Sequence, residues 1–286
     1  MRVLVTGGSG RVGRFVVPEL ETAGYEIAIF DLVEPQDRRP RYIKGDLRNL
    51  AEVMEATRNI EAIVHLAAIP TYTGEDQKIM ETNVMGTFNL LEAAVKNGVK
   101  KVVCATSLCA VGFIFWKKPF TPDYFPIDEK HPCKPDDAYG LSKLIDEKLC
   151  YAYTQRHGIS TVCLRMASVF FEEELKGFLP NIGTPDLFKD MIWNYVDPRD
   201  VAQAYRLALK KADIEHELYN IGAPDVFSEL DSLELIRRYY PEVKLILNEN
   251  DFLADKNKAL FDISKARREL GYKPRFTWRK LSPKRK

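Results

Sequence analysis

The chain has 286 residues, of which 45% are hydrophobic and 29% are charged, with a formal net charge of +1. This length and composition fit one large α/β domain with enough apolar material for a core. The near-neutral charge gives no reason to expect nucleic acid as a partner. No apolar run is long enough to cross a bilayer, so we expect no membrane association.

The cysteines are odd in number and show neither CxxC nor mixed Cys/His ligand spacing. They are Cys104, Cys109, Cys133, Cys150 and Cys163. This pattern predicts neither a disulfide framework nor a metal site, and it fits reduced thiols in the cytoplasm. The first residues run directly into an apolar strand without a signal peptide. We therefore expect a cytoplasmic protein.

Short apolar runs alternate with helix-like segments along the first half of the chain. The runs are mostly apolar throughout, which is typical of a parallel sheet covered on both faces. We predict strands at 2–6, 26–30, 62–66, 101–105 and 160–164, and helices at about 11–23, 49–58, 76–97 and 137–157. This order predicts an α/β fold with a Rossmann-type doubly wound parallel sheet.

The pattern loosens after residue 165. Residues 171–190 carry turn residues and little periodicity, which indicates a loop or a small lid. A helix, a strand and a second helix are predicted at 197–212, 218–222 and 228–240. We expect a dinucleotide-binding core at 1–165, a small C-terminal substrate lobe at 166–274 interleaved with it, and a disordered basic tail at 275–286.

The first predicted strand leads into "TGGSGRVG", from Thr6 to Gly13, at the start of a helix. Gly7 allows a tight turn, Gly10 lets the backbone approach a pyrophosphate, and Gly13 lets the helix pack close to the sheet. The helix N-terminus then offers N–H groups and a positive dipole to phosphates. Glycines at this junction predict a dinucleotide site.

Asp31 ends the second predicted strand, about 20 residues after the loop, where a carboxylate accepts hydrogen bonds from the adenine ribose. The alternative role is a helix cap or a turn residue. A carboxylate there repels a 2′-phosphate, so NAD is favoured over NADP, although Arg11 could meet such a phosphate. The sequence predicts NAD as the cofactor.

The segment "YGLSK" places Tyr139 and Lys143 one helical turn apart. Residues at i and i+4 share one face of a helix, but such pairs also arise by chance on solvated helices. The pair alone does not distinguish an acid–base site from two residues on a solvated helix surface.

Several motifs in order make the chain resemble an extended short-chain dehydrogenase/reductase, from Met1 to about Pro274. They include the glycine loop, "GDL" at 45–47, "HLAA" at 65–68, Asn83, "TSLCAVG" at 106–112, the YxxxK motif, "YVDPRDVAQA", "YNIG" and "DISKARRELGY". The resemblance implies that Asp46 contacts the adenine amino group and that Asn83 braces the central helix. The cofactor-binding residues it implies are Gly7, Gly10, Arg11, Val12, Gly13, Asp31, Asp46, Leu47, Leu66, Ala67, Ala68, Asn83, Tyr139 and Lys143.

The resemblance also implies catalytic roles for Ser107, Tyr139 and Lys143. Tyr139 would exchange a proton with the substrate oxygen, which Ser107 would hydrogen-bond. A free tyrosine has a pKa of about 10. The Lys143 ammonium and the nicotinamide cation would lower that pKa, and Lys143 would also hold the nicotinamide ribose. For Ser107 the alternative is a cap at a strand end.

Two other features of the sequence could have a functional role. His65 lies in a predicted buried strand, where a hydrogen-bonded core histidine is the better interpretation. The aromatic residues of "VGFIFWKKPF" at 111–120 could line a pocket, but such residues more often fill a core or an oligomer contact.

Within the family, the short segment from Arg165 to Val196 leaves little surface for a nucleotide-linked sugar. This compact plan is similar to uronate dehydrogenases, and it implies substrate contacts for Ser107, Leu108, Cys109 and Ser168. The usual Asn-His pair is replaced by Leu108-Cys109, and Lys189 lies near, but not on, the position of the arginine that grips a uronate. Uronate is therefore doubtful, while a neutral or differently charged sugar stays open.

We expect an NAD-dependent oxidoreductase acting on a sugar-like alcohol or hemiacetal. The alternative enzyme is a nucleotide-sugar 4-epimerase with retained NAD, and a non-catalytic dinucleotide sensor is a third possibility. The resemblance implies a homodimer formed through the helices at about 76–97 and 137–157. A stripe such as Val84, Phe88 and Leu91 could equally face the chain's own sheet.

Overall fold

A computed structural model of the protein describes residues 1–118, 120–247 and 249–281. Within these ranges a central sheet of seven parallel strands contains β1 (Arg2–Thr6), β2 (Glu26–Asp31), β3 (Arg41–Lys44), β4 (Ala62–His65), β5 (Lys101–Ser107), β7 (Ser160–Met166) and β10 (His216–Ile221). Two short parallel pairs join β6 (Tyr124–Phe125) to β11 (Lys244–Leu245), and β8 (Ser168–Val169) to β9 (Tyr195–Val196).

Helices cover both faces of this sheet. They are α1 (Gly13–Thr22), α2 (Leu50–Ala56), α3 (Asp76–Ile79), α4 (Gly86–Lys96), α5 (Ala138–His157), α6 (Glu172–Phe178), α7 (Pro198–Lys210), α8 (Ser232–Tyr239), α9 (Glu249–Ala254) and α10 (Ser264–Leu270). A π-helical segment, Met80–Met85, joins α3 to α4, and 3₁₀ turns lie at Leu108–Ala110, Leu179–Asn181, Pro185–Met191 and Trp278–Lys280.

The predicted fold class is confirmed, and the predicted strands and helices of the first half all form. Continuously apolar strands are buried because apolar clusters pack on both faces of the sheet. The prediction did not include β3, α9, α10 or the short strands β6, β8, β9 and β11, and it placed a loop or small lid where α6 forms. The last predicted helix begins later, at Ser232, where the Asp231 side chain caps it by accepting a hydrogen bond from Glu234 N.

The strand order of the sheet is β3-β2-β1-β4-β5-β7-β10. All carboxyl ends of parallel strands lie at one edge, and the chain reverses its direction of winding between β1 and β4. Ligands of open α/β sheets bind in the crevice outside such a switch point. The glycine loop follows β1 and Ser107 ends β5, so the fold brings both to this edge.

The prediction of a disordered tail is wrong for residues 275–281. The backbone N–H groups of Arg275 and Phe276 donate to the Asp200 carboxylate, and Trp278 is 4% exposed. Basic composition suggested a solvated tail, but the buried indole anchors this segment to the core. Residues 282–286 lie outside the described residues, and the division of the preceding chain into core and lobe stays a prediction. No helix in the described ranges has the length and apolar character needed to cross a membrane.

Candidate active site

The glycine loop has the shape that a dinucleotide site requires. Gly7 has φ +70°, and a Cβ there would lie 2.6 Å from Ala67 N. A Cβ at Gly13 would collide with the carbonyl of Gly8, so α1 packs closely on the loop. A Cβ at Gly10 would lie 3.1 Å from Gly7 O, and the absence of a side chain there lets a pyrophosphate approach the backbone. The residues present therefore fit a dinucleotide.

Asp31 connects the end of β2 to this loop. Its Oδ2 accepts a hydrogen bond from Ser9 N at 3.1 Å, and its Oδ1 accepts one from Val33 N at 3.2 Å. Each carboxylate oxygen can accept more than one hydrogen bond. The geometry leaves Asp31 able to accept bonds from ribose hydroxyls as well.

The predicted adenine contact, Asp46, has a neighbour that competes for it. Arg48 Nη2 lies 2.5 Å from Asp46 Oδ2, and this hydrogen-bonded arginine lowers the pKa of the carboxyl. Leu47 is buried, and its carbonyl accepts a hydrogen bond from Asn89 Nδ2 at 2.9 Å. An adenine amino group would share the Asp46 carboxylate with Arg48.

Asn83 is a brace between two elements of the site. Its Oδ1 accepts from Ile69 N at 2.8 Å, and its Nδ2 donates to Ser142 Oγ at 2.9 Å and to Ile69 O at 3.2 Å. The side chain is fully buried. It therefore ties the loop after β4, which contains the half-buried residues Leu66 to Ala68, to α5. The implied bracing role fits this geometry, whereas the burial does not support a direct cofactor contact.

Ser107 and Tyr139 are brought together by close packing of α5 on the loop after β5. The Asp137 side chain caps α5, accepting from Gly140 N at 2.8 Å. A Cβ at Gly140 would lie 2.5 Å from Cys109 O, so only glycine allows this approach. Ser107 Oγ accepts a hydrogen bond from Cys109 N at 3.1 Å, and the Ser107 hydroxyl is near enough to Tyr139 to favour a lower pKa of its phenol. Ser107 is thus both a cap and a neighbour of the tyrosine.

Burial governs the ionisation of Tyr139. Burial raises its pKa to about 12, while the Lys143 charge and the Ser107 hydroxyl act in the opposite direction. The sequence predicted a lowered pKa for Tyr139. With the protein groups alone the pKa is raised instead. The reason is that the side chain is only 8% exposed, and a phenolate would lose its hydration there.

Lys143 lies one turn further along α5 and is also buried. Its Nζ donates to Asp146 Oδ2 at 2.9 Å and to Ala105 O at 3.5 Å. Burial by itself would lower the pKa of Lys143, but the Asp146 carboxylate and the Tyr139 hydroxyl raise it above the ordinary lysine value. The lysine is therefore charged at neutral pH.

The implied substrate contacts divide into two groups. Leu108 and Cys109 are only 1% and 2% exposed, and Leu108 packs in the main core. Their burial does not support substrate contacts by these two side chains. Ser168, in β8, is half-buried and stays a candidate.

Phe115 was missed as a site residue, and it borders Tyr139 directly. Its ring lies 6.0 Å from the Tyr139 ring in an edge-on arrangement, and 6.3 Å from the ring of Tyr72. Phe113 lies in the core, as expected for this aromatic segment. Between them Ile114 has φ +83°, which is strained for a β-branched residue. This turn directs alternate aromatic side chains to the core and to the site.

Arg11 reaches the C-terminal half of the chain. Its Nη2 lies 2.5 Å from Glu174 Oε1, and its guanidinium carbon lies 3.9 Å from the centre of the Phe171 ring. We call these three residues the clasp. It holds the start of α6 against the glycine loop, where the sequence indicated only a loop or lid.

His65 is the core histidine that the sequence indicated. Its Nδ1 and Nε2 share hydrogen bonds with Thr6 Oγ1 at 2.7 Å and Thr87 Oγ1 at 2.9 Å. Burial lowers its pKa to about 3, so the imidazole is neutral. All five cysteines are free thiols, and no cluster of metal-ligating side chains occurs in the described parts of the chain.

The model of the NAD dependent epimerase/dehydratase family matches residues 3–222 of the chain. The chain belongs to this family. The predicted family resemblance is confirmed, and the predicted cofactor, NAD, is the cofactor of the family.

The relatives in this family include both enzyme types considered above. The chain is 27% identical to a UDP-glucose 4-epimerase of Lacticaseibacillus casei, over 96% of this chain and 92% of that one. It is 27% identical to a uronate dehydrogenase of Pseudomonas syringae, over 73% and 79% of the two chains. A short-chain dehydrogenase/reductase superfamily protein from Agrobacterium tumefaciens, crystallised with NAD, has the same fold, with a TM-score of 0.74, 24% identity, and coverage of 98% and 94%.

Proposed function

We propose that the protein is an NAD-dependent oxidoreductase that removes hydride from a sugar-like alcohol or hemiacetal. The observation that carries the proposal is the meeting of Ser107, Tyr139 and Lys143 at the same sheet edge as the glycine loop. A sheet edge that combines an acid–base group with a phosphate-binding loop is suited to redox chemistry on an alcohol.

In the proposed reaction, the Tyr139 oxygen takes the proton of the substrate hydroxyl while the carbon that bears it loses hydride. Ser107 hydrogen-bonds the reacting oxygen, and Lys143 supplies positive charge one turn away. When bound, NAD accepts the hydride at nicotinamide C4 and brings a second positive charge to the site. The pKa of Tyr139 is raised to about 12 by burial even with Lys143 nearby, so the positive charge of bound NAD would have to lower it further for the base to work at a lower pH.

A compact substrate is favoured over a nucleotide-linked one. The ring of Phe115 stands beside Tyr139, the ring of Tyr72 stands beside Phe115, and the chain between β7 and α7 is short. Lys189 is exposed, so we do not assign it the grip on a uronate carboxylate. We propose a sugar without that carboxylate as the substrate.

A nucleotide-sugar 4-epimerase with retained NAD is the second candidate, and two observations favour it. The chain spans 92% of the L. casei epimerase, more than the 79% it spans of the P. syringae uronate dehydrogenase. The clasp also joins the start of α6 to the glycine loop, and such a contact would help an enzyme to retain its cofactor.

One experiment separates the two candidates. Purified protein is incubated with NAD and a panel of free sugars and uronates, and the absorbance of reduced cofactor is followed. A parallel incubation with UDP-glucose is analysed for the 4-epimer. Release of NADH with a free sugar supports the dehydrogenase. Epimer formation without net NADH supports the epimerase. If neither NADH nor the epimer forms, both candidates are rejected.

We also propose a homodimer. Leu91 is buried and faces the chain's own sheet, but Met85 and Phe88 are 49% and 37% exposed. On α5, Leu141 and Tyr151 are 41% and 51% exposed. Exposed apolar residues on two neighbouring helices are suited to a second copy of the chain.

A further inference from the structure

The proposed reaction gives no role to Asp146, although it is the closest partner of Lys143. The Lys143 ammonium lies 2.9 Å from Asp146 Oδ2, and the two side chains are only 4% and 0% exposed. Asp146 lies one turn beyond Lys143 and two turns beyond Tyr139 on the same face of α5. The three side chains therefore form one continuous buried row.

The hydrogen bonding of Asp146 points to Lys143. The other carboxylate oxygen, Oδ1, has no hydrogen-bond partner within the described residues. A buried carboxylate without partners is costly, and here the Lys143 ammonium offsets that cost. A carboxylate that served only to hold the fold together would be expected to use both oxygens.

The surroundings of the pair are otherwise close to neutral. Burial raises the pKa of the Asp146 carboxyl, whereas the Lys143 ammonium and, to a smaller extent, Thr87 act in the opposite direction and favour the carboxylate. Burial and neighbouring thiols hold the pKa of Cys104 well above its ordinary value, so that thiol is neutral. The titratable and charged groups facing the pair from α5 and the neighbouring strands are Tyr139, Glu147, Cys150, His65, Cys104 and Cys163.

The charge of Glu147 is balanced by Arg165 and not by Lys143. Its carboxylate forms a two-pronged ion pair with Arg165, with distances of 3.0 Å to Nε and 2.7 Å to Nη2. Asp146 is thus the carboxylate that faces the Lys143 ammonium directly.

We propose that Asp146 is a positioning residue that keeps Lys143 charged and fixed against β5, where its charge acts on Tyr139. The proposal rests on the proposed function, because it assigns Lys143 a task in proton transfer. Without the carboxylate, Lys143 would be a buried ammonium with only the long bond to Ala105 O. Such a group loses its proton more readily.

The first test is the pH dependence of kcat for the wild type, Asp146→Asn and Asp146→Glu. In Asp146→Asn we expect activity at alkaline pH to fall at least one pH unit earlier than in the wild type, because Lys143 deprotonates earlier. Asp146→Glu, which keeps the charge, should recover part of the alkaline activity. If kcat falls at the same alkaline pH in folded Asp146→Asn and in the wild type, the proposal is overturned.

The second test observes Lys143 without any turnover. Lysine side chains labelled with ¹³C are titrated by NMR in the holoenzyme, and the Lys143 signal is assigned by its loss in Lys143→Arg. In the wild type, Lys143 should titrate above the exposed lysines, whose pKa is about 10.4. In Asp146→Asn it should titrate below them.

These outcomes separate the inference from the proposed function. If wild-type Lys143 titrates below the exposed lysines, or at the same pH as in folded Asp146→Asn, Asp146 does not hold its charge and the inference fails. If the titration behaves as expected but no sugar or nucleotide sugar is turned over, the proposed function fails while the pairing stands.

Discussion

The ring of Phe115 stands edge-on to the ring of Tyr139, with 6.0 Å between their centres and an angle of 80° between their planes. The turn that makes this contact also sends Phe113 into the core, where its ring lies 4.6 Å from that of Phe120. One short segment thus serves both the stability of the fold and the surroundings of the proposed base.

This division predicts different effects for two neighbouring substitutions. Phe113→Ala should lower the free energy of unfolding by about 3–5 kcal/mol, because it empties a buried aromatic site. Phe115→Ala should change stability much less, since this ring is half-buried, and should instead raise KM for the substrate. Urea unfolding and steady-state kinetics of the two variants check this. An unchanged KM for Phe115→Ala would remove Phe115 from the proposed site.

The clasp predicts an effect on cofactor release. Arg11→Ala should speed NADH dissociation by roughly threefold to tenfold, the range for one exposed ion pair and one cation–π contact. The free energy of unfolding should change by less than about 1 kcal/mol, since Arg11 and Glu174 are partly exposed. Stopped-flow fluorescence of bound NADH measures the rate.

Lys176→Ala provides a matched control for the clasp. Lys176 lies on the same helix, but its ion pair is with Glu172. This variant should release NADH at the wild-type rate. Equal release from Arg11→Ala and Lys176→Ala would show that the clasp does not hold the cofactor.

The exposed apolar residues of the helices predict the oligomeric state. The wild type should sediment as a dimer, and Phe88→Glu should shift it to a monomer because a charge cannot be buried unpaired in an apolar contact. Leu187→Glu is a control, since Leu187 is also exposed, at 61%, but lies outside these helices. A wild type that sediments only as a monomer would contradict the proposed dimer.

Buried His65 predicts a loss of stability in mild acid. Its pKa is about 3 in the folded state, below the unfolded value of about 6.5, so the unfolded state binds a proton first as the pH falls. The stabilisation is complete above about pH 6.5 and is lost progressively towards pH 3.

Between pH 7.5 and pH 5, His65 should therefore contribute about 2 kcal/mol to the loss of stability. His65→Asn, which cannot take up this proton, should lose about that much less than the wild type over the same interval. Urea unfolding at both pH values measures the difference. Equal losses in the two proteins would show that His65 is not held neutral.

Local sequence was sufficient to predict the parallel sheet, because apolar strands and a glycine loop have short-range signatures. Family motifs in the sequence also mark Ser107, Tyr139 and Lys143, whose catalytic roles stay a proposal. Local sequence could not predict the clasp, because Arg11 and Glu174 are distant in sequence and meet only through folding. Nor could it predict that burial opposes the ionisation of Tyr139 or that Asp146 pairs with Lys143, since burial and charge pairing depend on tertiary packing.

The most direct test of the proposed chemistry is Tyr139→Phe, compared with Tyr153→Phe on the same helix. The Tyr153 hydroxyl donates to Glu92 Oε1 at 2.6 Å, so this control removes a hydroxyl from α5 without touching the proposed base. We predict that Tyr139→Phe retains NAD affinity within about threefold. Its kcat should fall by about 10²- to 10⁴-fold, while Tyr153→Phe stays near the wild-type rate. A Tyr139→Phe enzyme that turns over at the wild-type rate would contradict the account.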